Sequence, residues 1–414
     1  MNKFGIALFL LFFFFLQTAC SEGDDPEENE IPISEDSYPG LSVSPTGQLL
    51  LNGEPFYGIG VNYFNAFTRT LEQGKENDKS YEIGFAYLKE RNIPFIRFSL
   101  NGYWPRDWDT YKNNPDRFYK NLDAFVKAAE EYGIGLIPSF FWHNPTVPDL
   151  VGESVNQWGN INSKTNELAR KFTKEIVVRY RESQAIWGWE LGNEFNLLVD
   201  LPGDDSNLPP VVPSLGTPTY RTKEDKLSTS DLLVMLKSFA NEIRKYDPSR
   251  IIISGNAIPR PAAWHLRQSR QWTADTKDQF IQTLGVQNID PLDNLSVHIY
   301  PSASDEAYFS DGKVDIDGII KACMDASRQL KKPLFVGEWG AQEVLYGSET
   351  PNKFMEILLS IEENQVPLSA MWVFDYPPHD TEEGINVSPD NSKREYMLQE
   401  IKKANIRIKT IGEK

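Results

Sequence analysis

Two glutamates in this chain each end an apolar run that is predicted to be a buried strand. Glu194 ends Ala185-Ile-Trp-Gly-Trp-Glu-Leu-Gly-Asn-Glu, and Glu338 ends Pro333-Leu-Phe-Val-Gly-Glu. A carboxylate is costly to leave where a buried strand surfaces, unless the group is paired or used. Two carboxylates at equivalent positions of a repeating strand–helix pattern suggest acid/base and nucleophile chemistry on a glycosidic bond.

The other predicted strand ends carry further polar and aromatic side chains. The chain has four histidines, and His143 and His298 both fall at such ends. Aromatic faces suit the apolar C–H faces of sugar rings, although any single aromatic residue is more commonly core filling. The prediction of a sugar-binding site therefore rests on the whole set of strand-end residues and not on any one of them. Besides the two glutamates, the candidate site residues are Asn62, Tyr63, Arg97, Trp142, His143, Asn193, His298, Tyr300, Trp339 and Trp372.

Apolar runs alternate with amphipathic stretches from Phe56 onward, and helices are predicted near 117–132, 164–181 and 229–246. Such alternation implies a parallel sheet covered by helices. Eight units over about 360 residues favour a closed (β/α)8 TIM barrel in a single domain. No glycine-rich phosphate loop follows the first strand, which argues against a nucleotide-binding sheet. The strands are predicted at 56–62, 94–99, 135–142, 186–191, 250–254, 295–299, 334–337 and 370–374.

Two further features are expected around this barrel. An N-terminal hairpin is predicted from Leu49–Leu51, a turn at Asn52-Gly53, and the run 56–62. A proline-rich insertion, residues 199–228, follows the fourth barrel strand on the face where barrel enzymes build their sites. Its composition leaves two interpretations open, a wall of a substrate cleft or a loop without a role.

The N-terminal 40 residues are predicted to lie outside the fold. Phe4–Leu16 is an apolar run too short to span a bilayer comfortably, and it suits the core of a signal peptide over residues 1–19. Thr18 and Ala19 precede Cys20, which resembles a bacterial lipobox in which the cysteine carries lipid. A secretory signal cleaved nearby is the alternative.

An acidic segment follows Cys20. Eight acidic residues and no lysine or arginine lie between Ser21 and Asp36, which predicts a disordered tether over residues 20–40. This segment resembles the surface-export signal of Bacteroidetes lipoproteins. We therefore expect an outer-membrane lipoprotein, held by its lipid and exposed on the cell surface, with a periplasm-facing placement as the alternative. Residues 41–414 would form the catalytic domain.

Charge and cysteine content exclude several classes of protein. The formal net charge of −17 argues against nucleic acid as a partner. The chain has two cysteines, and lipid on Cys20 would leave Cys323 without a disulfide partner. No metal-ligand cluster accompanies Cys323, so we predict neither a metal nor a cofactor. Nothing in the sequence demands a partner subunit, and we expect a monomer.

The residues at the strand ends resemble those of a known family. Trp189-Glu-Leu-Gly-Asn-Glu194 resembles the strand-four signature of clan A glycoside hydrolases, and Phe335-Val-Gly-Glu-Trp-Gly340 resembles their strand-seven signature. The resemblance implies that Glu194 is the acid/base, that Glu338 is the nucleophile, and that Asn193 holds a sugar 2-hydroxyl. Further residues fall where family 5 glycoside hydrolases carry an Arg, a His, a His-x-Tyr and a Trp, namely Arg97, His143, His298, Tyr300 and Trp372.

The expected reaction is retaining hydrolysis of a β-linked polysaccharide, β-mannan or β-glucan, by an endo-acting enzyme. Two alternatives remain: an exo-acting β-mannosidase or β-glucosidase in which the 199–228 insertion blocks the cleft, and a non-catalytic surface protein that binds glycan. The sequence contains both glutamates, whereas a non-catalytic relative would usually have lost one. The sequence does not identify the polysaccharide.

Overall fold

A small antiparallel sheet precedes the barrel in the computed structural model, which describes residues 39–75, 77–203, 206–301 and 308–412. The predicted signal peptide, Cys20 and the tether up to residue 38 lie outside the described residues. The sheet consists of β1 (Leu41–Val43), β2 (Leu49–Leu51) and β3 (Glu54–Pro55). The predicted turn at Asn52-Gly53 joins β2 to β3, with positive φ at both residues (52° and 88°), as a two-residue hairpin turn requires.

The run predicted as the second strand of this hairpin divides into two elements. Glu54–Pro55 completes the hairpin, whereas Gly58–Asn62 pairs in parallel with other strands and therefore begins the barrel. The hairpin closes the amino-terminal end of the barrel, because the Leu41 N–H donates to the Trp187 carbonyl at 2.8 Å. Leu41 and Leu49 pack there in one buried cluster with Phe95 and Trp187.

Eight parallel strands form the central sheet, which confirms the predicted (β/α)8 architecture of a single domain. Their buried, largely apolar residues are typical of parallel strands covered on both faces. The strands are β4 (Gly58–Asn62), β5 (Phe95–Ser99), β6 (Gly135–Phe141), β7 (Gly188–Gly192), β8 (Ile251–Ile253), β9 (Leu295–Ile299), β10 (Leu334–Trp339) and β11 (Leu368–Met371).

The strand order is β8-β7-β6-β5-β4-β11-β10-β9, so the first and last barrel strands are paired to each other. Between β8 and β9 the described residues show no strand ladder. Isolated hydrogen bonds join the two sides instead: Asp293 N–H donates to the Ile252 carbonyl at 3.2 Å, and Ile258 N–H donates to the His298 carbonyl at 3.4 Å. The barrel thus has one seam, between its fifth and sixth strands.

Helices cover the outside of the sheet, and the three predicted ones are confirmed as Pro115–Tyr132, Lys164–Tyr180 and Thr229–Arg244. Asn114, Ser163 and Ser228 cap their amino termini by accepting backbone N–H groups. No helix within the described ranges has the length and apolarity to cross a membrane. The helices are α1 (Ser80–Glu90), α2 (Asp109–Asn113), α3 (Pro115–Tyr132), α4 (Thr146–Val151), α5 (Lys164–Tyr180), α6 (Thr229–Arg244), α7 (Ala263–Ser269), α8 (Lys277–Gln287), α9 (Ile316–Leu330), α10 (Glu343–Tyr346), α11 (Thr350–Glu363) and α12 (Glu395–Gly412).

The described part of the 199–228 insertion is tied to the barrel by buried contacts. Arg221 binds Asp149 of α4 through two parallel hydrogen bonds of 2.6 and 2.7 Å, and both side chains are nearly inaccessible. Within the insertion itself, Lys226 Nζ donates to the carbonyls of Pro202 (3.3 Å) and Ser206 (3.1 Å). Bidentate arginine–carboxylate pairs impose geometry as well as attraction, so the Arg221–Asp149 pair fixes the insertion at the carboxyl-end face of the barrel.

Candidate active site

Glu194 follows β7, the fourth barrel strand, in a left-handed backbone conformation (φ 56°, ψ 28°) that non-glycine residues seldom adopt. Its N–H donates to the Gly255 carbonyl, beyond the fifth strand, at 2.8 Å. A Cβ on Gly255 would lie only 1.8 Å from the Gly192 carbonyl oxygen. Glycine at 255 therefore permits the two strand ends to approach, and this approach holds Glu194 at the mouth of the barrel.

Glu338 lies on β10, the seventh barrel strand, with a side chain that is only 7% exposed. Arg97 Nη1 donates to its Oε1 at 2.7 Å, and the Tyr300 hydroxyl donates to its Oε2 at 2.9 Å. Charge-assisted hydrogen bonds of this kind are shorter and stronger than those between neutral groups. Both oxygens of Glu338 are thus held in place by donors.

The two carboxylates face each other across His298. Its Nδ1 lies 2.9 Å from Glu194 Oε1 and 3.6 Å from Glu338 Oε1. One oxygen of each carboxylate and one nitrogen of His298 all lie within 4.8 Å of one another. Retaining glycosidases hold their two carboxyl groups about 5–5.5 Å apart, whereas inverting enzymes need about 6.5–9.5 Å to admit a water molecule. The spacing therefore fits a double-displacement reaction.

Arg97 is the fully buried cation that organises the site. Its Nε donates to both oxygens of Glu190 (2.8 and 2.9 Å), and Nη1 also donates to Asn62 Oδ1 at 2.9 Å. Burial alone would lower the pKa of Arg97, but Glu190 and Glu338 outweigh it and raise the pKa. Arg97 therefore stays charged, and its two buried carboxylate partners compensate that charge.

The same guanidinium orients two residues that border the cleft. Nη2 donates to Asn193 Oδ1 at 2.8 Å, so the amide nitrogen of Asn193 is the group left to donate to a substrate. The carbon of the guanidinium lies 4.6 Å from the centroid of the Trp142 ring, which is a cation–π distance. Trp142 in turn stacks against Trp372, with ring centroids 6.2 Å apart and planes 25° apart.

Burial sets the protonation states around the carboxylates. It raises the pKa of Glu194, and the charges of Arg97 and Arg260 offset only part of that rise. Burial lowers the pKa of His298 to about 3, although Glu338 acts in the opposite direction, so this imidazole is neutral near neutral pH. Burial also raises the pKa of Tyr300, which keeps its hydroxyl protonated as a donor to Glu338. Glu194 is thus the group suited to carry a proton.

A cavity of about 330 Å³ opens beside Glu194. Residues that follow the second, third and fifth strands border it, together with residues of the insertion and those just before it. The insertion thus forms part of the wall of this cavity, and its role toward a substrate stays a prediction. A larger cavity of about 910 Å³ lies on the other side of Tyr103. The smaller cavity is bordered by Tyr103, Trp142, His143, Asn144, Asn193, Glu194, Leu197, Leu198, 207–210, 225–227 and Arg260.

The structure places most of the predicted residues together, but two predictions are wrong. Tyr63 is fully buried, and its hydroxyl donates to Asp375 at 2.6 Å. Trp339 is also fully buried and packs against Phe354 of α11, at a centroid distance of 5.3 Å. Both side chains point away from the barrel mouth, so neither can contact a sugar.

His143 and Trp372 lie at the rim of the site rather than among its charged groups. His143 stacks on Tyr103 with ring centroids 3.8 Å apart, and burial lowers the pKa of His143 to about 3. Trp372 is half-buried, and its indole nitrogen donates to His379 Nδ1 at 3.2 Å. The prediction that Trp372 lies under the sugar stays a prediction.

Three residues that border or support the site were not assigned from the sequence. Glu190, in the interior of β7, is the buried partner of Arg97. Tyr103 separates the two cavities, and Arg260 borders the one beside Glu194. A charged residue inside an apolar strand was the available signal for Glu190, whereas Tyr103 and Arg260 lie in loops that no periodicity marks.

Glu194, His298 and Glu338 also form a group whose donor atoms could surround a cation. Arg97 and Tyr300 already occupy both oxygens of Glu338. A second positive charge there would face the buried guanidinium at short range, which opposes metal binding. The arrangement is better suited to proton transfer and nucleophilic attack.

An eight-stranded barrel with paired carboxylates at the ends of its fourth and seventh strands has the architecture and spacing of a retaining glycoside hydrolase. The profile of the cellulase family, glycosyl hydrolase family 5, matches residues 52–373. The chain belongs to this family.

Individual relatives carry names that refer to mannan. The chain is 27% identical over 183 residues to a protein named probable mannan endo-1,4-beta-mannosidase A from Aspergillus flavus. That match covers 39% of this chain and 45% of the relative, so the chain spans less than half of the relative's length. An endo-1,4-beta-mannanase from Rhizomucor miehei has the same fold, with a TM-score of 0.63 at 16% identity, over 90% of this chain and 99% of the other. A family 5 mannosidase from the same fungus also shares the fold, with a TM-score of 0.60 at 13% identity. That match covers 90% of this chain and 99% of the other.

Proposed function

We propose that the protein hydrolyses internal β-1,4 linkages of a β-mannan with retention of configuration. The observation that carries this proposal is the approach of the Glu194 and Glu338 carboxylates to within 4.8 Å, each held by different partners. The mannan part rests on the names of the relatives, and β-glucan is the other polymer that the family suggests. The paired aromatic faces of Trp142 and Trp372 suit a sugar chain of either kind.

The reaction proceeds in two balanced steps. In the first, a Glu338 oxygen bonds to the anomeric carbon while Glu194 gives its proton to the leaving glycosidic oxygen. In the second, Glu194 takes a proton from water, the resulting hydroxide bonds to the same carbon, and the bond to Glu338 breaks. Arg97 and Tyr300 orient Glu338 through hydrogen bonds to both of its oxygens, and the amide nitrogen of Asn193 donates to the sugar 2-hydroxyl.

The test is hydrolysis by the purified protein of β-mannan, β-glucan and xylan, with the products analysed over time. We expect a mixture of oligosaccharides from β-mannan, and nuclear magnetic resonance of the first products should show the β anomer. An α anomer as the first product would mean inversion and would overturn the double-displacement assignment. Absence of hydrolysis on every β-glycan would overturn the proposal.

An exo-acting mannosidase is the second candidate. It is favoured by the name of the family 5 mannosidase that shares this fold over 90% of the chain. The same product analysis distinguishes the two, since an exo-acting enzyme releases a single sugar or short product from chain ends and leaves the polymer long.

The pH dependence follows from the burial of Glu194. Because burial raises the pKa of this acid, kcat/KM on an oligosaccharide should fall with rising pH only above the range of an ordinary carboxyl group. The measurement is kcat/KM against pH, with the 2,4-dinitrophenyl glycoside of the same sugar as a control. That leaving group departs without a proton, so the alkaline fall should disappear. An identical fall with both substrates would show that another group controls it.

We also propose that the chain is exported and held at the outer membrane by lipid on Cys20, with the catalytic domain on the cell surface. The apolar run, the lipobox-like residues before Cys20 and the acidic segment after it support this placement. Membrane fractionation of cells that express the chain, compared with a Cys20→Ala variant, tests it. Equal release of both forms into the soluble fraction would overturn it.

A further inference from the structure

Arg260 is a half-buried arginine that makes no direct ion pair among the described residues, although the charge of Glu194 acts on it. Its Nε donates to the Leu197 carbonyl at 2.9 Å, which fixes the guanidinium at the edge of the cavity beside Glu194. Three other half-buried arginines each pair with an acid, namely Arg69, Arg91 and Arg244. Burial lowers the pKa of Arg260, and the charge of Glu194 offsets only part of that effect, so hydrogen-bond acceptors of a ligand would stabilise this partly dehydrated guanidinium.

The position of Arg260 defines which part of a substrate it could meet. The cavity that it borders includes Glu194 but not Glu338. Glu338 bonds to the anomeric carbon of one sugar, whereas Glu194 protonates the oxygen of the departing sugar. The space beyond Glu194, away from Glu338, therefore receives the leaving group, and Arg260 lies on that side.

An exposed tryptophan lies next to this arginine. The Trp272 side chain is 58% exposed, and the carbon of the Arg260 guanidinium lies 6.0 Å from its ring centroid. Single exposed apolar residues are common and need no explanation. Beside the Arg260 guanidinium, however, the indole adds an apolar face to a set of hydrogen-bond donors. A sugar ring presents both an apolar C–H face and hydroxyl acceptors that match them.

The charged groups around the cavity leave one charged donor for a ligand. Glu194 is the group that carries the proton, Asp225 is negative, and Lys226 and Arg260 are positive. Asp225 lies 3.5 Å from Arg221, and Lys226 is occupied by backbone carbonyls. Arg260 is therefore the charged donor left for a ligand, and the hydroxyl groups of a neutral sugar can accept its hydrogen bonds.

We infer that Arg260 and Trp272 bind the sugar that leaves, and that they thereby determine which glycosidic bonds are cut efficiently. This inference rests on the proposed function. Arg260 would donate hydrogen bonds to the hydroxyls of that sugar while Trp272 stacks on its ring. Because these contacts lie beyond the bond that breaks, they contribute only when the leaving group is a sugar.

The experiment compares two substrates with the same glycone: an oligosaccharide, and the glycosyl fluoride, which has no leaving sugar. For Arg260→Gln, the ratio of kcat/KM on the oligosaccharide to kcat/KM on the fluoride should fall about tenfold, as expected for lost hydrogen bonds from a charged donor. Arg267→Gln is the matched control, because Arg267 is an exposed arginine on α7 that does not border the cavity. Its ratio should equal that of the wild type.

A second readout excludes a purely structural role. The positive charge of Arg260 lowers the pKa of Glu194, so the alkaline fall in kcat/KM on the oligosaccharide should move to higher pH in Arg260→Gln and stay in place in Arg267→Gln. Equal losses on both substrates, or an unchanged ratio, would overturn the inference even if the wild type cleaves mannan. If Arg260→Gln does not fold, the same ratio of kcat/KM values is measured for Trp272→Ala, which should fold because Trp272 is exposed. A ratio below that of the wild type would support the inference, and an unchanged ratio would overturn it. A wild type that cleaves no β-glycan would overturn the inference and the proposed function together.

Discussion

Replacement of Glu338 by glutamine should lower kcat on the polysaccharide by on the order of 10⁴-fold or more, the scale seen when a catalytic nucleophile is removed. An amide oxygen is a poor nucleophile, so the bond to the anomeric carbon cannot form at a useful rate. The shape of the side chain is retained. The amide oxygen can still accept from Arg97, and the amide nitrogen can face the Tyr300 oxygen, so binding of the glycan should survive.

The measurement is steady-state hydrolysis together with glycan binding by the same preparation. Glu349→Gln is a suitable control, because Glu349 is exposed and lies away from both cavities. Thermal unfolding should show that Glu338→Gln remains folded, since Glu190 still neutralises Arg97 through two hydrogen bonds. A Glu338→Gln protein with the turnover of the wild type would disprove the assignment of the nucleophile.

Replacement of Glu194 by alanine should have a different signature, because this residue acts in both steps. On an oligosaccharide, kcat/KM should fall by about 10²–10⁴-fold, the usual contribution of a general acid. On a 2,4-dinitrophenyl glycoside the first step needs no proton, so a burst of dinitrophenol should precede a slow steady state while the glycosyl–Glu338 intermediate accumulates.

Rescue of the variants by azide tests on which face of the sugar each carboxylate lies. In Glu194→Ala, a small anion can enter the space left by the carboxylate and attack the intermediate, so azide should restore turnover and yield the β-glycosyl azide. In Glu338→Ala the anion would attack from the opposite face and yield the α-glycosyl azide. Azide should leave the wild type unaffected. Recovery of the α-glycosyl azide from Glu194→Ala would show that Glu194 is the nucleophile and Glu338 is the acid/base.

The sequence predicted the barrel and the two carboxylates because both depend on local patterns. Apolar strands that end on polar residues define which end of each strand carries the site, and the alternation with helices defines the parallel sheet. The full set of contacts between distant strands was not predictable in this way, although Arg97 and Tyr300 as partners of Glu338 were. Arg97 bonds to Glu190, Glu338, Asn62 and Asn193, which come from three different strand segments. Only the closed sheet brings these groups to one guanidinium.

The two wrong predictions share one cause. Successive side chains along a strand point to opposite faces. Asn62 and Glu338 point into the barrel mouth, so the next residues, Tyr63 and Trp339, point outward into the helical layer. Asn193 and Glu194 escape this rule because the positive φ of Glu194 breaks the alternation. That backbone conformation depends on the close approach of Gly255, a residue far along the chain, so the sequence around Glu194 gives no sign of it.

The seam between β8 and β9 has a consequence for how the chain is made. The continuous ladder joins the first barrel strand, β4, to the last, β11, and the seam falls in the middle of the chain. During synthesis, the five strands from β4 to β8 can pair in sequence, but β4 keeps an open edge until Leu368–Met371 has left the ribosome. Open edges are templates for wrong pairing between chains. The last barrel strand therefore covers the edge exposed for longest during synthesis.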